Sequence, residues 1–369
     1  TGLLNFTHRI APEQGIERSS SGPRAHRIFK IPFKDGIHRV AESLDDKVYK
    51  RRMATQTEKR ALPNHINIEL FYMSDYVHTK YFENRTEERI QYAAIIMHSV
   101  SLRFQQLETP ASIALAAIIG SFTVNESYVR LWRNDKLIGN ETLYVMSQQL
   151  WANSSVRRAD VAYMVTGRDM IDILPNNISS AVLGMAYKGK ACSRYQVAAG
   201  EDMPGLFTGI HTAAHEIGHL LGSDHDGYGT SISCQAKDGY LMNPRAGGIR
   251  SFFFSNCSKK AISEFMQTFD AFCLEYDWSK HIAVFPNSTA KLPGVAMNGT
   301  QYCEMRFPGK VNVTYVKWDS DLAKCKFRCR LGFKKNGDPN YAIRFALDGT
   351  PCNRSNSNMI CKNAVCQQK

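Results

Sequence analysis

The chain has 369 residues, 46 Lys and Arg against 34 Asp and Glu, a net charge of +12 and 43% hydrophobic residues. That length and apolar fraction suit two or three domains with at least one sizeable core, and exclude disorder throughout. The longest apolar run, Ile113 to Ile119, falls far short of the ~20 residues that cross a bilayer, so no membrane span is expected.

Residues 1–63 read poorly as a core. They hold the run Ser19-Ser20-Ser21-Gly22-Pro23 and two dibasic points, Arg51-Arg52 and Lys59-Arg60. Dibasic points in a linker ahead of a folded domain suggest proteolytic maturation, so this stretch is expected to be a propeptide remnant or linker. The start at Thr1, without a signal peptide, reads as a processed or truncated form. From residue 64 the pattern alternates. A strand over Asn67 to Met73 leads to a helix, with Ile90, Ala94, Ile95, His98 and Leu102 at helical spacing. The run Ile113 to Ile119 follows, then a helix over Leu143 to Trp151. Strand-like segments recur at Val161 to Val165, Val182 to Tyr187 and Tyr195 to Ala199. A helix is expected from about Gly209 to Leu221, and a last one over Lys259 to Phe272. Strands alternating with helices predict an α/β fold: a mixed, mostly parallel sheet with helices packed on it, over 64–287. Residues 288–369 read as a small, basic, cysteine-rich module.

Charge and cysteines divide the chain the same way. Residues 1–63 carry +6, residues 64–287 carry −3 and residues 288–369 carry +9. No cysteine lies before Cys192. Four follow at Cys192, Cys234, Cys257 and Cys273, then six at Cys303, Cys325, Cys329, Cys352, Cys361 and Cys366. Four then six is the arithmetic of two bridges followed by three in an oxidising compartment. Eleven Asn-X-Ser/Thr sites are glycosylation candidates: Asn5, Asn84, Asn125, Asn140, Asn153, Asn177, Asn256, Asn287, Asn298, Asn312 and Asn353. Both counts point to a secreted, extracellular protein.

The segment from His211 to Gly227 carries the chemistry. His215 and His219 are four residues apart, so on a helix both imidazoles leave one face about 6 Å apart along the axis. Gly222 can end that helix by taking a positive φ, and the returning chain can bring His225 to the same ion. Three imidazoles leave one position open for water, the arrangement of a catalytic zinc. Glu216 points elsewhere on the helix and is better placed to take a proton from a zinc-bound water than to bind the metal. The five fixed letters His-Glu-x-x-His-x-x-Gly-x-x-His recur by chance at about one in three million positions. His211 aligns with both ligand candidates but is too distant for the same ion, and is expected to pack. Met242, in Tyr240-Leu241-Met242-Asn243-Pro244, fits a hydrophobic floor beneath a metal.

The extended histidine motif followed by a methionine turn resembles the metzincin zinc endopeptidases. Asp226 directly after the third histidine resembles the adamalysin, or reprolysin, family among them. Asn67-Ile68-Glu69-Leu70 is similar to that family's first strand, Leu183-Gly184-Met185-Ala186-Tyr187 through Cys192 to its edge strand, and Phe254-Ser255-Asn256-Cys257-Ser258 to the segment before its last helix. The resemblance implies a metzincin-like catalytic domain with zinc in the cleft and bridges Cys192–Cys273 and Cys234–Cys257. It also implies strand addition of a substrate peptide along Gly184, Met185 and Ala186. A structural Ca2+ ion is common in the family. Glu69 matches one of its ligands and Tyr276 does not. Many relatives are held latent by a propeptide cysteine, and residues 1–63 contain none.

In the tail, Lys324 to Arg330 with Lys334-Lys335 is the densest basic run. Asp348 to Cys352 and Ile360 to Cys366 resemble the cysteine-rich module of proteases with thrombospondin motifs and of tick salivary-gland metalloproteases. The second group resembles the whole chain most. By that resemblance the expected function is secreted proteolysis of fibrinogen, fibrin and matrix proteins, against host haemostasis. The basic tail is a candidate for anionic glycans or matrix; a nucleic-acid partner is disfavoured, since no recognition motif is present. The alternative is a catalytically weak protease scaffold that binds extracellular targets through its tail. The presence of Glu216 separates the two.

Overall fold

A computed structural model describes the backbone of residues 2–5, 8–12, 26–30 and 37–41, and then 60–133, 135–153, 156, 159–174, 177–245, 247–275 and 291–369. The dibasic point Arg51-Arg52, Lys59, Tyr276 and the sequon at Asn287 lie outside these residues. The chain divides into two compact units, Asp35–Leu292 and a second that combines Thr1–Lys34 with Pro293–Lys369.

In the second unit, Gly2–Asn5 (β1), His8–Pro12 (β2) and His26–Lys30 (β3) form an antiparallel sheet in chain order. Ile37–Ala41 (β4) belongs to the larger unit.

The larger unit is built on a nine-stranded sheet. Ile66–Ser74 (β5) and Ala111–Gly120 (β6) pair in parallel, joined through helices Tyr76–Tyr81 (α1) and Thr86–Phe104 (α2). A parallel pair needs such a crossover, and burial on both faces explains why β5 reads as a nearly continuous apolar run. Glu87 and Glu88 in the first turn of α2 and Arg103 in its last suit the helix dipole. Leu131–Trp132 (β7), Lys136–Ile138 (β8), helix Gly139–Ala152 (α3) and Val161–Thr166 (β9) follow, every residue of β9 being buried. Met170–Leu174 (β10) and Asn177–Tyr187 (β11) form an antiparallel hairpin, and Val197–Glu201 (β12) closes the set. The order across the sheet is β6-β5-β9-β12-β11-β10-β8-β7, with β4 also paired to β11. β5, β6, β9 and β12 run parallel, and β11 runs antiparallel to β12. The result is the α/β architecture expected from the alternation, a mixed and mostly parallel sheet with helices.

One face of the sheet packs Leu137, Leu143, Met146, Met164, Met170, Val182, Met185 and Val197 into a continuous core. Helix Gly209–Leu220 (α4) also packs against the sheet, with contacts to β9, β11, β12 and α2.

The last helix differs from the sequence expectation. Helix Asn256–Met266 (α5) starts three residues earlier than expected, where Ser255 caps it by accepting the Ser258 N–H at 3.1 Å. It stops at Met266, and Phe269–Glu275 continues as a kinked 3-10 segment ending near the Cys192–Cys273 bridge.

Residues 293–369 hold short helices Pro293–Ala296 (α6), Gly299–Arg306 (α7) and Asp319–Leu322 (α8). They also hold an antiparallel sheet of Thr314–Val316 (β13), Lys326–Phe333 (β14) and Pro339–Phe345 (β15), and a hairpin of Met359–Lys362 (β16) and Val365–Gln368 (β17). Bridges Cys303–Cys329, Cys325–Cys361 and Cys352–Cys366 fasten these pieces. Among the described residues no helix is long and apolar enough to cross a membrane.

Candidate metal centre and active site

Helix α4 carries His215, Glu216 and His219, all fully buried. Its C-terminus is set by Gly222, at φ +94°. The Gly222 N–H donates to the His219 carbonyl at 2.8 Å and the Ser223 N–H to the Gly218 carbonyl at 3.0 Å, a Schellman closure that ends the helix and reverses the chain. A Cβ at Gly222 would also sit 2.7 Å from Phe265 Cβ, so conformation and space both call for glycine.

The reversal brings His225 back over the helix. His225 Nε2 lies 3.1 Å from His219 Nε2 and 3.1 Å from His215 Nε2. Nitrogens bound tetrahedrally to one zinc at 2.0–2.1 Å lie about 3.3 Å from one another, so this spacing fits a shared ion. The other ring nitrogens are engaged: His215 Nδ1–H donates to the Leu241 carbonyl and His219 Nδ1–H to the Ser223 carbonyl, each at 2.7 Å. Those bonds place the protons on Nδ1 and leave the Nε2 lone pairs facing inward. Burial first, then the neighbouring His225, pushes His219 down to about 3, which keeps the ring neutral. His215, His219 and His225 thus form a donor set suited to one zinc.

The surrounding loops hold this set by short bonds. Met242 is buried beneath the helix, and a Cβ on Gly218 would lie 2.9 Å from its sulfur. Its carbonyl accepts the Asp226 N–H at 3.0 Å. Asp226 accepts the Ser255 hydroxyl at 2.6 Å and the Ser258 hydroxyl at 3.3 Å, which ties the third histidine's loop to the start of α5. Bridges Cys192–Cys273 and Cys234–Cys257 are both present in this unit.

Glu216 lies between the helix and the sheet. Gly184 of β11 stands opposite Gly200 of β12. A Cβ on Gly184 would come 2.5 Å from Glu216 Oε1, and one on Gly200 would run into Tyr163 Oη. The two glycines therefore open the slot that admits the carboxylate. Burial raises the Glu216 carboxyl well above the usual range.

Several supporting residues were not legible in the sequence. Asp202 is fully buried and accepts the Gly209 N–H (2.7 Å), the Thr208 hydroxyl (3.1 Å), the Tyr92 hydroxyl (2.8 Å) and a bond from His78 Nε2 (3.0 Å). It anchors the N-terminus of α4 from seven residues away, outside the spacing of a local cap. Tyr163, placed by strand pairing, and Thr212, one turn before Glu216 on α4, line the slot beside the carboxylate. His211 is half-buried beside the donor set, its ring centroid 6.3 Å from that of His215. Burial, then Arg103, lowers it to about 4.

Residues 133–277 match the Reprolysin (M12B) family zinc metalloprotease model. The similarities support a zinc metalloendopeptidase. Venom metalloproteinase BumaMPs1 of Olivierus martensii is 28% identical over 274 residues, covering 71% of this chain and 67% of the relative. A disintegrin and metalloproteinase with thrombospondin motifs 16 of Homo sapiens is 26% identical over 305 residues, covering 82% of this chain. This chain spans only 23% of that protein's length. Venom metalloproteinase antarease-like TtrivMP_A of Tityus trivittatus is 26% identical over 299 residues, covering 74% and 73%.

In the larger unit β11 departs from the open edge expected of it. Gly184, Met185 and Ala186 pair with β12 on one side and with β4 on the other. Glu69 is buried, and its N–H donates to Asp160 Oδ2 at 2.8 Å. Of the sequons, Asn84, Asn125, Asn153, Asn256, Asn298, Asn312 and Asn353 are exposed and Asn140 is half-buried. Asn5 and Asn177 lie in strands β1 and β11. In the basic run of the tail, Arg328 is engaged internally: it donates to Asp321 at 2.7 Å and lies 4.1 Å from the Trp318 ring centroid.

Proposed function

We propose that the chain is a secreted endopeptidase that hydrolyses peptide bonds of extracellular proteins, with zinc held by His215, His219 and His225 and with Glu216 as the base. The observation that carries this reading is the convergence of three Nε2 atoms, 3.1 Å apart in two pairs, beside a buried carboxylate. When bound, zinc polarises a carbonyl and makes water acidic near neutral pH. Glu216 takes the proton from the attacking water and returns it to the leaving amine nitrogen. Its burial favours this, because a carboxylate with raised proton affinity holds the proton between the two transfers. The Nδ1–H bonds of His215 and His219 fix the ring orientations throughout, and Asp202 and Gly222 fix the two ends of the helix that presents them. The side of β11 paired to β4 along Gly184, Met185 and Ala186 would offer its backbone groups to an extended peptide when β4 is displaced, so recognition runs through main chain as well as side chains. Five disulfides and the exposed sequons support an extracellular setting. Fibrinogen, fibrin and matrix proteins are the proposed substrates by the resemblance to tick salivary-gland metalloproteases, and the similarity to venom metalloproteinases supports the proteolytic reading.

The test is digestion of a fibrinogen and gelatin panel by purified chain whose latency has been relieved, with and without chelator, beside Glu216→Ala. Chelator should abolish cleavage and added zinc restore it. Glu216→Ala should lose about 10²–10⁴ in rate with zinc content unchanged. Full activity in that variant contradicts the assigned base.

A further inference from the structure

The sheet face beneath α4 holds a group that the proposed mechanism does not use. Tyr163 of β9 is fully buried, and among the described residues its hydroxyl has no hydrogen-bond partner. A hydroxyl buried in that state lowers stability, because it gives up its bonds to water and gains none. Phenylalanine would fill nearly the same volume without that loss. The sheet nevertheless makes room for the hydroxyl. It occupies the place that a Cβ on Gly200 would need, as Glu216 Oε1 occupies the place of a Cβ on Gly184. Gly184 and Gly200 stand opposite each other, and directly opposed residues project to one face of a sheet. The Thr212 methyl meets both positions, 2.7 Å from the first and 2.5 Å from the second. Hydroxyl and carboxylate are therefore neighbours in one slot, across a single methyl group. Burial first, then Glu216, raises the Tyr163 hydroxyl well above its usual range, so it keeps its proton and remains a donor.

A second hydroxyl shows what is particular to the first. Tyr72 of β5 pairs with Tyr163 across the two parallel strands, is fully buried and likewise has no hydrogen-bond partner among the described residues. The charges it senses are those of Asp202, Arg89 and Asp75, and not that of Glu216. The two tyrosines thus differ in their nearness to the base.

We propose that Tyr163 is a positioning residue for the base: its hydroxyl donates to Glu216 Oε1 in the loaded site and keeps Oε2 aimed at the reacting water. This rests on the reading of Glu216 as the base. Oε1 is the oxygen lodged against the sheet, so it is the one within the hydroxyl's reach, and Oε2 is left to take and return the proton. A charged acceptor draws a neutral donor strongly, and catalytic hydrogen bonds commonly close only as the reacting complex forms. The cost of burying the hydroxyl is then offset where it counts for rate, a trade of stability for activity.

The experiment compares the full chain, Tyr163→Phe and Tyr72→Phe, each with Glu216 and with Glu216→Ala. Melting temperature is read with chelator and with zinc, zinc content is measured, and kcat and KM are read on a fluorogenic fibrinogen-derived peptide. With chelator both Phe variants should melt about 2–4 °C above the unaltered chain, having lost a costly hydroxyl. With zinc, Tyr72→Phe should keep that gain and Tyr163→Phe should lose it. In the Glu216→Ala background Tyr163→Phe should regain it, which makes the coupling specific to the carboxylate. Tyr163→Phe alone should lower kcat about tenfold with KM and zinc content unchanged. A Tyr163→Phe variant that matches Tyr72→Phe in melting and in kcat would overturn the proposal. If the melting pattern holds and no form cuts the peptide, the proteolytic reading fails while the pairing of Tyr163 with Glu216 stands.

Discussion

Residues 60–275 and 293–369 hold their shape by different means. In the first region burial does most of the holding. Among the described residues the bulkiest fully buried side chains, including Tyr72, Tyr163, Phe104 and Phe254, lie there, and the tail contributes Phe327 to that group. Two bridges suffice over that region, whereas the much shorter tail carries three. A small domain exposes too much of its surface to be stabilised by its core alone, so covalent loop closure takes over. The difference also separates roles. The donor set of the first region needs placement to a fraction of an ångström, which packing and short hydrogen bonds supply.

The sharpest way to break this contrast is one cut in each region. Phe104 is fully buried and packs on Phe254 with ring centroids 5.3 Å apart. Phe104→Ala should cost about 3–5 kcal/mol and unfold the catalytic region at correspondingly lower denaturant. Cys352→Ser with Cys366→Ser opens a loop of 14 residues and should cost about 3 kcal/mol, read as earlier melting of the tail, with cleavage of a short peptide by the active enzyme unchanged. If the tail variant lost peptidase activity as well, the two regions would not be separable in this way.

A smaller effect sharpens the contrast within the catalytic region. Asp202→Asn keeps the shape but weakens a carboxylate that accepts four bonds at the N-terminus of α4. A loss of about 1.5–3 kcal/mol in stability is expected, with kcat reduced more than KM is raised, because the helix presents the catalytic groups. An unchanged kcat would reduce Asp202 to a purely structural anchor.

The smallest effect is a pH limb. His211 is half-buried and neutral, held at about 4 by desolvation of its ring and by Arg103, against 6.5 for the exposed group. The unfolded chain therefore takes the proton first as pH falls. Stability from this site is complete above 6.5 and drains away between 6.5 and 4, at up to about 1.4 kcal/mol per pH unit. Melting temperature against pH should fall less steeply over that window in His211→Asn than in the unaltered chain. Parallel slopes would show that His211 is not the group responsible.

Much of the fold was legible because its signals are local. The strands around Asn67 to Met73 and Val161 to Val165 and the helix ending near Leu221 rest on runs and periods that sequence displays directly. The histidine spacing was legible for the same reason, since a helix repeat and one glycine decide where three imidazoles go. The last helix was read too long because Phe269 to Glu275 keeps apolar spacing while its backbone kinks at Ala271, where φ/ψ leave the helical range. What stayed hidden depends on pairing between distant segments. Gly184 and Gly200 reveal their purpose only when β11 and β12 lie side by side. Asp202 does so only when His78 and Tyr92 arrive from elsewhere. The pairing of β4 with β11 is the extreme case, because no motif in residues 37–41 announces a partner at 182–187.

The central claim is that three imidazoles hold one zinc beside Glu216. The most direct measurement is metal analysis of the purified full chain combined with X-ray absorption at the zinc edge, repeated on His225→Ala. The account predicts one zinc per chain with three nitrogen ligands at about 2.0–2.1 Å, and loss of one nitrogen with weakened retention in the variant. A chain without zinc, or one whose zinc environment is unchanged when His225 is removed, would contradict it.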